Sequence, residues 1–210
     1  MIALIDYDAG NLKSVEKALK ALGETPKITR NRKEILEADK VILPGVGAFG
    51  DAMEKLGQYG LIPVIHEVVE QGLPLMGICL GLQLMFESSE EQPGVQGLSL
   101  FPGRILKIPH CPGLKIPHMG WNSLDIAAQN PILGGNRGRL FQGIEQGSYV
   151  YFVHSYYLKA EDESIVAAST EYGTHIHAAV EKDNVFACQF HPEKSGKTGL
   201  RILKNFIELT

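Results

Sequence analysis

The first ninety residues alternate short apolar runs with amphipathic segments, and this alternation restricts the possible folds more than any other feature. Ile2–Ile5 is typical of a buried strand, and the apolar residues that follow recur at helical spacing up to Gly23. Repeated β-α units of this kind place parallel strands in one sheet and cover its faces with helices. The sequence therefore predicts a three-layer α/β fold with a mostly parallel central sheet flanked by helices.

The remaining elements of this first part follow the same pattern. Asn11 is a candidate N-cap for the first helix, and Gly23 is a candidate stop. The other predicted strands are Lys27–Thr29, 40–43 and 73–78, and the other predicted helices are 32–37, 62–69 and 80–87. Segment 44–50 contains three glycines. We expect a loop there, at the carboxyl end of a strand, where open α/β sheets bind their ligands.

Beyond residue 95 the pattern changes to strands of period two. These strands are predicted over 105–108, 148–158, 165–170, 175–181 and 185–190, with a hairpin turn at 182–184. A closing helix carries its apolar side chains on one face, at Leu200, Leu203, Phe206 and Ile207. Because we find no repeat, low-complexity tract or Pro/Ser-rich linker, we expect one domain over residues 1–210. In it an antiparallel extension continues the parallel sheet.

Composition and charge exclude several classes of protein. The chain is 44% hydrophobic and 21% charged, which is typical of a soluble globular protein. A net charge of -4 provides no basic field to hold nucleic acid or anionic lipid. The longest uncharged apolar stretch, 72–86, is shorter than the roughly 18 residues of a membrane span and is broken by Pro74 and two glycines. We expect no nucleic-acid partner and no membrane partner.

The cysteines and the amino terminus indicate a reducing compartment. Cys79, Cys111 and Cys188 are odd in number and lack C-x-x-C spacing, which argues against a disulfide framework and against a zinc site. The apolar run before Asp6 and Asp8 is too short for a signal peptide. These features predict a cytoplasmic protein without a metal site.

The sharpest local motif is Gly77-Ile78-Cys79-Leu80-Gly81, between a predicted strand and a predicted helix. It has the G-x-nucleophile-x-G form of the strand-to-helix turn in α/β hydrolases, with cysteine in place of serine. Small flanking residues allow the sharp turn, and the amino end of the following helix stabilises a thiolate. The alternative is a structural cysteine buried between packing glycines.

A cysteine nucleophile needs a base, because a free thiol with a pKa of about 8.5 is only slightly ionised at neutral pH. His191 is the strongest candidate, since Glu193 follows it by two residues at the end of a predicted strand. In extended backbone these two side chains share one face, so that Glu193 can orient the ring in a Cys-His-Glu triad. The alternative is an ordinary surface His-Glu pair.

Acyl transfer also needs donors for the oxyanion. The backbone N–H of Leu80 is one by geometry, because it follows the nucleophile. The glycine-rich loop at 44–47 is a candidate for the second, since glycine lets a peptide group approach a ligand closely.

Three segments together resemble the class I (triad) glutamine amidotransferase family. They are Pro44-Gly45-Val46-Gly47, Gly77-Ile78-Cys79-Leu80-Gly81-Leu82-Gln83 and Gln189-Phe190-His191-Pro192-Glu193. Within that family the chain looks like the glutaminase subunits of histidine biosynthesis. The segments that carry this closer likeness are Asp6-Tyr7-Asp8-Ala9-Gly10-Asn11, 44–53, Pro117-His118-Met119-Gly120-Trp121-Asn122 and Tyr151-Phe152-Val153-His154-Ser155-Tyr156-Tyr157. They occur in the expected order over nearly the whole chain.

The resemblance implies a role for each matching residue and requires no cofactor. Cys79 would attack the side-chain amide of glutamine, His191 would carry the proton to the leaving ammonia, and Glu193 would orient His191. Val46 and Gly47 match a strand that is rearranged when such enzymes are switched on. The remaining matches are positions of the glutamine pocket: Gln83, Glu91, His154, Ser155 and Tyr156.

The resemblance also implies a protein partner. Free ammonia is mostly protonated near neutral pH and then is no nucleophile, so it must pass directly to an acceptor. The partner would be a TIM-barrel cyclase subunit that makes imidazole glycerol phosphate and aminoimidazole carboxamide ribotide in a heterodimer. Candidate interface residues are Asn11, Trp121 and Lys194. Trp121 suits a buried anchor in such an interface, with core packing as its alternative.

Three other functions compete with this one. A stand-alone cysteine hydrolase would turn over without a partner, and a glutaminase could serve another acceptor, as in anthranilate, guanylate or pyridoxal phosphate synthesis. A catalytically idle binding subunit is disfavoured, because all three residue types of the triad are present in order.

Overall fold

The computed structural model describes residues 1–127 and 138–209. In the first half of the chain its strands follow the predicted order. In chain order they are β1 (Ile2–Ile5), β2 (Lys27–Thr29), β3 (Lys40–Gly45), β4 (Leu75–Cys79), β5 (Ser88–Ser89), β6 (Gly103–Lys107), β7 (His118–Ser123), β8 (Asp125–Ile126), β9 (Tyr149–His154), β10 (Tyr156–Ala160), β11 (Val166–Glu171), β12 (His175–Lys182) and β13 (Val185–Cys188). The helices are α1 (Leu12–Ala21), α2 (Arg32–Leu36), α3 (Phe49–Gln58), α4 (Leu61–Glu70), α5 (Leu80–Leu84) and α6 (Gly196–Ile207).

The central sheet has the order β2-β1-β3-β4-β13-β12-β11-β8. Its strands run parallel from β2 to β13, and the pairs from β13 to β8 are antiparallel. Two small sheets lie outside it, with the orders β10-β6-β5 and β7-β9. The predicted α/β fold with an antiparallel extension is therefore confirmed.

Alternating side chains of the strands reach two separate hydrophobic cores. Ala3 and Ile5 of β1 pack in one core, and Ile2 and Leu4 pack in the other. Helices α3 and α4 complete the first core, whereas α1 and α6 complete the second. Both faces of a parallel sheet are covered in this way, which explains why its strands are continuous apolar runs in the sequence.

Two predicted boundaries are wrong for reasons of strand pairing. Segment 148–158 is not one strand, because the chain changes partner at Ser155: β9 pairs with β7, and β10 pairs with β6. The predicted loop at 44–50 is also too long. Pro44 and Gly45 still belong to β3 and pair with β4, and only 46–48 lie between β3 and α3. Since β1 pairs with β3 only up to Ile42, the missing N–H of Pro44 costs no bond to β1.

Of the helices described, none has the length and hydrophobic character to span a lipid bilayer.

Candidate active site

Cys79 lies at the junction of β4 and α5 in a strained backbone conformation. Its φ is 55° and its ψ is -107°, values that residues with a Cβ rarely adopt. Such a conformation costs on the order of 1–3 kcal/mol and persists only where the surrounding structure holds it. The turn therefore has the geometry of a nucleophile elbow, as the motif predicts.

The two glycines of the motif are required by close backbone contacts. A Cβ at Gly81 would lie 1.9 Å from the carbonyl oxygen of Leu43, and a Cβ at Gly77 would lie 2.8 Å from the backbone of Gly81. Any side chain at these positions would push α5 away from β3 and β4. The absence of side chains is therefore what allows Cys79 to leave the sheet so abruptly.

His191 and Glu193 form a buried pair beside the sulfur. Nδ1 of His191 lies 2.7 Å from Oε1 of Glu193, and neither side chain is exposed. Nδ2 of Asn11 donates to the same carboxylate oxygen over 2.6 Å. The expected pairing is present, but its predicted local geometry is wrong. Strand β13 ends at Cys188, and Pro192–Lys194 form a 3-10 turn that brings Glu193 back to the ring.

The backbone of His191 is fixed by β9. Its N–H donates to the carbonyl of Tyr151 over 2.9 Å. The hydroxyl of Ser195 donates to the carbonyl of His191 and accepts the N–H of Tyr151, at 2.6 and 2.9 Å. These three bonds hold the imidazole in one position relative to the small sheet β7-β9.

The pKa values of His191 and Glu193 depart from the ordinary values of these side chains. Burial alone would lower the pKa of His191, but interactions with Cys79 and Glu193 outweigh it and raise the pKa to about 9. Nε2 of His191 is buried and has no partner of regular hydrogen-bond geometry among the described residues, so the contact with the sulfur is looser than a regular bond. Burial would raise the pKa of Glu193, yet His191 and Asn11 hold it below its usual range.

A cleft of about 330 Å³ opens next to Cys79. This volume lies within the range of small-molecule sites, roughly 300–1,000 Å³. All the candidate residues for the oxyanion and glutamine positions line it, together with Cys79: Val46, Gly47, Leu80, Gln83, Glu91, His154, Ser155 and Tyr156. The structure thus brings these residues to one site.

The backbone of the cleft supplies N–H groups near the sulfur. Leu80 is the first residue of α5, so its N–H has no acceptor within the helix. Gly47 has a φ of 124°, which only glycine adopts readily, and lies in the short segment between β3 and α3. Both residues line the cleft, where the N–H of Leu80 is available to an anionic oxygen.

Comparison with known proteins identifies the family. The family model "Glutamine amidotransferase class-I" matches residues 3–209. A protein of Caldanaerobacter subterraneus subsp. tengcongensis, "Imidazole glycerol phosphate synthase subunit HisH", is 52% identical over 100% of this chain and 98% of its own length. The protein of the same name from Moorella thermoacetica is 50% identical over 99% of this chain and 94% of its own. The chain belongs to the class-I glutamine amidotransferases, in the group of HisH subunits.

A comparison of structures shows the same fold. A crystal structure described as a glutamine amidotransferase superposes with a TM-score of 0.74 at 20% identity, covering 99% of this chain and 98% of that one. The family resemblance and the fold class inferred from the sequence motifs are both confirmed.

Glu91 reaches the amidotransferase cleft from outside helix α5. Helix α5 ends at Leu84, so that Glu91 is not a continuation of the helix that carries Gln83. One carboxylate oxygen of Glu91 accepts the N–H of Phe49, at the amino end of α3, over 2.8 Å. The helix end thus holds this carboxylate at the rim of the cleft.

The candidate interface residues lie near the triad. Trp121 is 54% exposed, so that its alternative, core packing, is wrong. It shares the outer face of β7-β9 with Met119 and Tyr149, which are 62% and 59% exposed. Asn11 is half-buried against Glu193, and Lys194 is exposed on the 3-10 turn.

Three contacts of this amidotransferase site were not predicted. Ser195 fixes the backbone of His191. Asn11 is the N-cap of α1 as predicted, but its side chain binds Glu193 and does not cap the helix. Nε2 of Gln189 donates to Sγ of Cys79 over 3.7 Å. A signal for Gln189 exists in the sequence, because it precedes His191 by two residues in the motif, at the spacing used for Glu193.

Proposed function

We propose that the chain hydrolyses L-glutamine to glutamate and ammonia with Cys79, His191 and Glu193, as the glutaminase subunit of imidazole glycerol phosphate synthase. The observation that carries this proposal is the convergence of three parts at one cleft. Cys79 at its strained elbow lines this cleft together with the candidate oxyanion residues Leu80 and Gly47, and the buried imidazole of His191, with a carboxylate behind it, contacts Cys79. Acyl transfer requires these three parts together.

The first step forms a thioester. His191 holds the thiol proton, and Sγ of Cys79 attacks the amide carbon of glutamine. The N–H of Leu80 and the peptide group at Val46-Gly47 stabilise the negative oxygen of the tetrahedral intermediate. The C–N bond then breaks, and His191 returns its proton to the leaving nitrogen, which departs as ammonia.

The second step restores the enzyme. A water molecule gives a proton to His191 and attacks the thioester carbon, the C–S bond breaks, and glutamate leaves. Glu193 keeps the ring of His191 in one orientation and stabilises its charged form in both steps. The raised pKa of His191, about 9, suits a ring that carries a proton while the sulfur is negative.

The cleft offers groups of suitable charge for the amino-acid part of glutamine. Glu91 presents a carboxylate that would attract the α-ammonium group, and Gln83 is an uncharged neighbour of the nucleophile. The segment His154-Ser155-Tyr156 lies where the chain changes partner between β9 and β10, and it lines the cleft. We assign the carboxylate of glutamine to this segment.

A cyclase subunit is the proposed partner, and the outer face of β7-β9 is its proposed docking surface. Large side chains with exposed aromatic or apolar surface cover this face, whereas its inner face is buried. Aromatic anchors of this kind dominate binding energy at interfaces. Tyr151, on the same face as Trp121, binds the backbone of His191, so that a docked cyclase would lie close to the triad and receive ammonia directly.

The wider assignments rest on the family. We propose that the chain forms one domain over residues 1–210, works in the cytoplasm and needs no cofactor. The proposed products of the assembled enzyme are imidazole glycerol phosphate and aminoimidazole carboxamide ribotide.

The deciding experiment replaces the nucleophile in the assembled enzyme. Cys79→Ala should abolish glutamate release from glutamine, because no thioester can form, while cyclisation driven by added ammonium salt should continue. Cys111→Ala is the matched control, since this thiol is half-buried and contacts Gly173 rather than the cleft. Glutamate release by the Cys79 variant would contradict the assignment. Equal release from the wild type with and without the cyclase would indicate a stand-alone hydrolase.

A further inference from the structure

Two buried histidines are hydrogen-bonded to each other at the wall of the cleft, where His154 is part of the lining and His118 lies behind it. Nδ1 of His118 lies 3.0 Å from Nε2 of His154, and Nδ1 of His154 lies 2.8 Å from the carbonyl oxygen of Tyr156. At the other end, Nδ2 of Asn122 lies 3.4 Å from Nε2 of His118. The ring of His118 is stacked between Phe152 and Tyr172, with centroid distances of 4.7 and 3.8 Å. Both rings are thus held on all sides.

The directions of these bonds follow from their end groups. A carbonyl oxygen only accepts, so Nδ1 of His154 carries a hydrogen. Burial lowers the pKa of His154 to about 3 and that of His118 to about 4, so both rings are neutral at physiological pH. Nε2 of His154 is then bare and accepts from Nδ1 of His118, whose own Nε2 accepts from Asn122. Both rings are therefore fixed in the Nδ1–H tautomer.

Two buried amides continue the row from Tyr156 to the nucleophile. Nε2 of Gln83 donates to the carbonyl of Tyr156 over 3.1 Å and to Oε1 of Gln189 over 3.0 Å. Because that oxygen of Gln189 is engaged as an acceptor, its Nε2 is the group that faces Cys79, at 3.7 Å from Sγ. Gln189 is fully buried, and Gln83 is 5% exposed. The amide of Gln189 therefore has one orientation, with its donor at the sulfur.

This arrangement does more than satisfy buried polar groups. A row of mutual hydrogen bonds could end on any carbonyl, but this one ends with an N–H directed at the reacting atom. An N–H donor stabilises a thiolate more than a neutral thiol, because a charged acceptor strengthens the bond. His191 approaches the same sulfur from another residue of the 189–193 segment. Two groups of this segment thus act on one atom.

We propose that Gln189 is a further catalytic residue, whose amide N–H holds Sγ of Cys79 as an oriented thiolate, and that His118 and His154 are positioning residues which fix this amide through Tyr156 and Gln83. The inference deepens the proposed function, since it rests on Cys79 being the nucleophile. It assigns a role in the chemical step to residues that do not hold the substrate: Gln189 and His118 do not line the cleft.

The tautomers of the two rings test the row in the unmodified protein. We expect long-range proton–nitrogen NMR correlations of the nitrogen-15-labelled chain to show both His118 and His154 as neutral Nδ1–H imidazoles at pH 7. Free imidazole side chains favour the Nε2–H form, so the result is not the default. An Nε2–H form or a protonated ring at His154 would overturn the proposed row.

A variant tests the contact with the sulfur. Gln189→Met keeps the length of the side chain but removes the donor, and Gln71→Met is the matched control on the surface. Alkylation of Cys79 by iodoacetamide at pH 7, read from the Cys79 peptide by mass spectrometry, should slow about fivefold in Gln189→Met, on the scale of one weak charge-assisted bond. In the complex with the cyclase, kcat should fall by a similar factor while KM for glutamine changes less than twofold.

A second pair of variants keeps the proposal testable if Gln189→Met does not fold. His118→Phe retains the stacked ring but removes the donor to His154, and His118→Asn restores an N–H near the position of Nδ1. We expect about twofold slower alkylation of Cys79 in His118→Phe and recovery in His118→Asn. Unchanged alkylation in both Gln189→Met and His118→Phe, or a change confined to KM, would overturn the proposal.

These measurements separate two kinds of failure. The tautomers and the alkylation rates need neither glutamine nor cyclase, so they test the row even if the chain released no glutamate. If Cys79→Ala retained glutaminase activity, the proposed function would fail whatever the tautomers are. If Cys79→Ala were inactive but Gln189→Met behaved like Gln71→Met, only the present inference would fail.

Discussion

Two buried imidazole systems lie beside the same cleft, and one is charged while the other is neutral. His191, His118 and His154 are 0%, 2% and 6% exposed, so burial is nearly equal. Yet the pKa of His191 is raised to about 9, whereas those of His118 and His154 are lowered to about 4 and about 3. Burial lowers the pKa of all three rings. The difference therefore comes from their partners and not from their depth.

The partners explain the two outcomes. His191 has the carboxylate of Glu193 at Nδ1 and the sulfur of Cys79 as a further acidic neighbour. His154 has only a neutral ring and a carbonyl oxygen as partners. One system can therefore carry a proton during catalysis, while the other is a rigid, uncharged wall. Histidine thus serves beside this cleft both as the base and as a rigid, neutral support.

The largest effect is expected when the charged partner is made neutral. Glu193→Gln keeps the size of the side chain but removes the negative charge that favours protonated His191. We expect glutaminase turnover in the complex to fall roughly 10,000-fold, the loss found when the orienting acid of a triad is changed to its amide. NMR titration should show the pKa of His191 falling from about 9 towards 6.5 or below. The two systems would then become alike.

Glu208→Gln is the control for this substitution, because Glu208 is exposed after the end of α6 and pairs with Lys204. It should leave turnover and the titration of His191 unchanged. A Glu193→Gln enzyme with near-normal turnover would show that the carboxylate is not what separates the two imidazole systems.

A smaller effect is expected from the residue behind the carboxylate. Asn11→Gly removes the 2.6 Å bond to Glu193 and suits the left-handed backbone at this position, where φ is 77°. One bond to a charged group corresponds to about 1.5–3 kcal/mol. We therefore expect kcat/KM for glutamine to fall at least about tenfold at saturating cyclase. Ser99→Gly, at another left-handed position, is the control. Equal activity of Asn11→Gly and Ser99→Gly would show that Asn11 has no role in the site.

The sequence indicated the charged system more clearly than the neutral one. The elbow around Cys79 could be predicted because its turn depends on glycines at fixed local spacing, and these glycines have the close contacts that the motif requires. The pairing of His191 with Glu193 was also anticipated, but from extended backbone. Pro192 instead begins a 3-10 turn, and a two-residue spacing does not distinguish these conformations.

The neutral system depends on pairings between distant segments. His118 and His154 meet because β7 and β9 are antiparallel neighbours, and the period of two in 148–158 continues across Ser155, where the chain changes sheets. Alternation alone cannot locate this change. Helix α3 was missed for a related reason, since its first residues Phe49 and Gly50 follow a glycine-rich segment that is typical of a loop.

The smallest effect is expected in the stability of the folded chain in acid. The unfolded rings of His118 and His154 take up protons below a pKa of about 6.5, whereas the folded rings stay neutral until about pH 4 and about pH 3. The unfolded state therefore binds more protons over this interval. The free energy of unfolding falls as the pH is lowered, by up to ~1.4 kcal/mol per pH unit for each ring. His191 adds little slope at the acid end of this interval, because its ring is protonated in both states there, and its contribution to stability is lost as the pH rises from about 6.5 to about 9.

Urea denaturation at several pH values between 6.5 and 4.5 measures how steeply the free energy of unfolding depends on pH, and this slope distinguishes the neutral rings from the charged one. In His118→Phe one neutral ring is absent, so the free energy of unfolding should depend less steeply on pH, by up to ~1.4 kcal/mol per unit. His110→Phe makes the same chemical change on an exposed segment and should retain the slope of the wild type. His177, whose pKa is also lowered to about 4 by burial, is present in all three proteins and cancels from the comparison. A slope in His118→Phe equal to that of His110→Phe would mean that His118 is charged in the folded chain. The contrast between a charged and a neutral imidazole system beside the cleft would then be wrong.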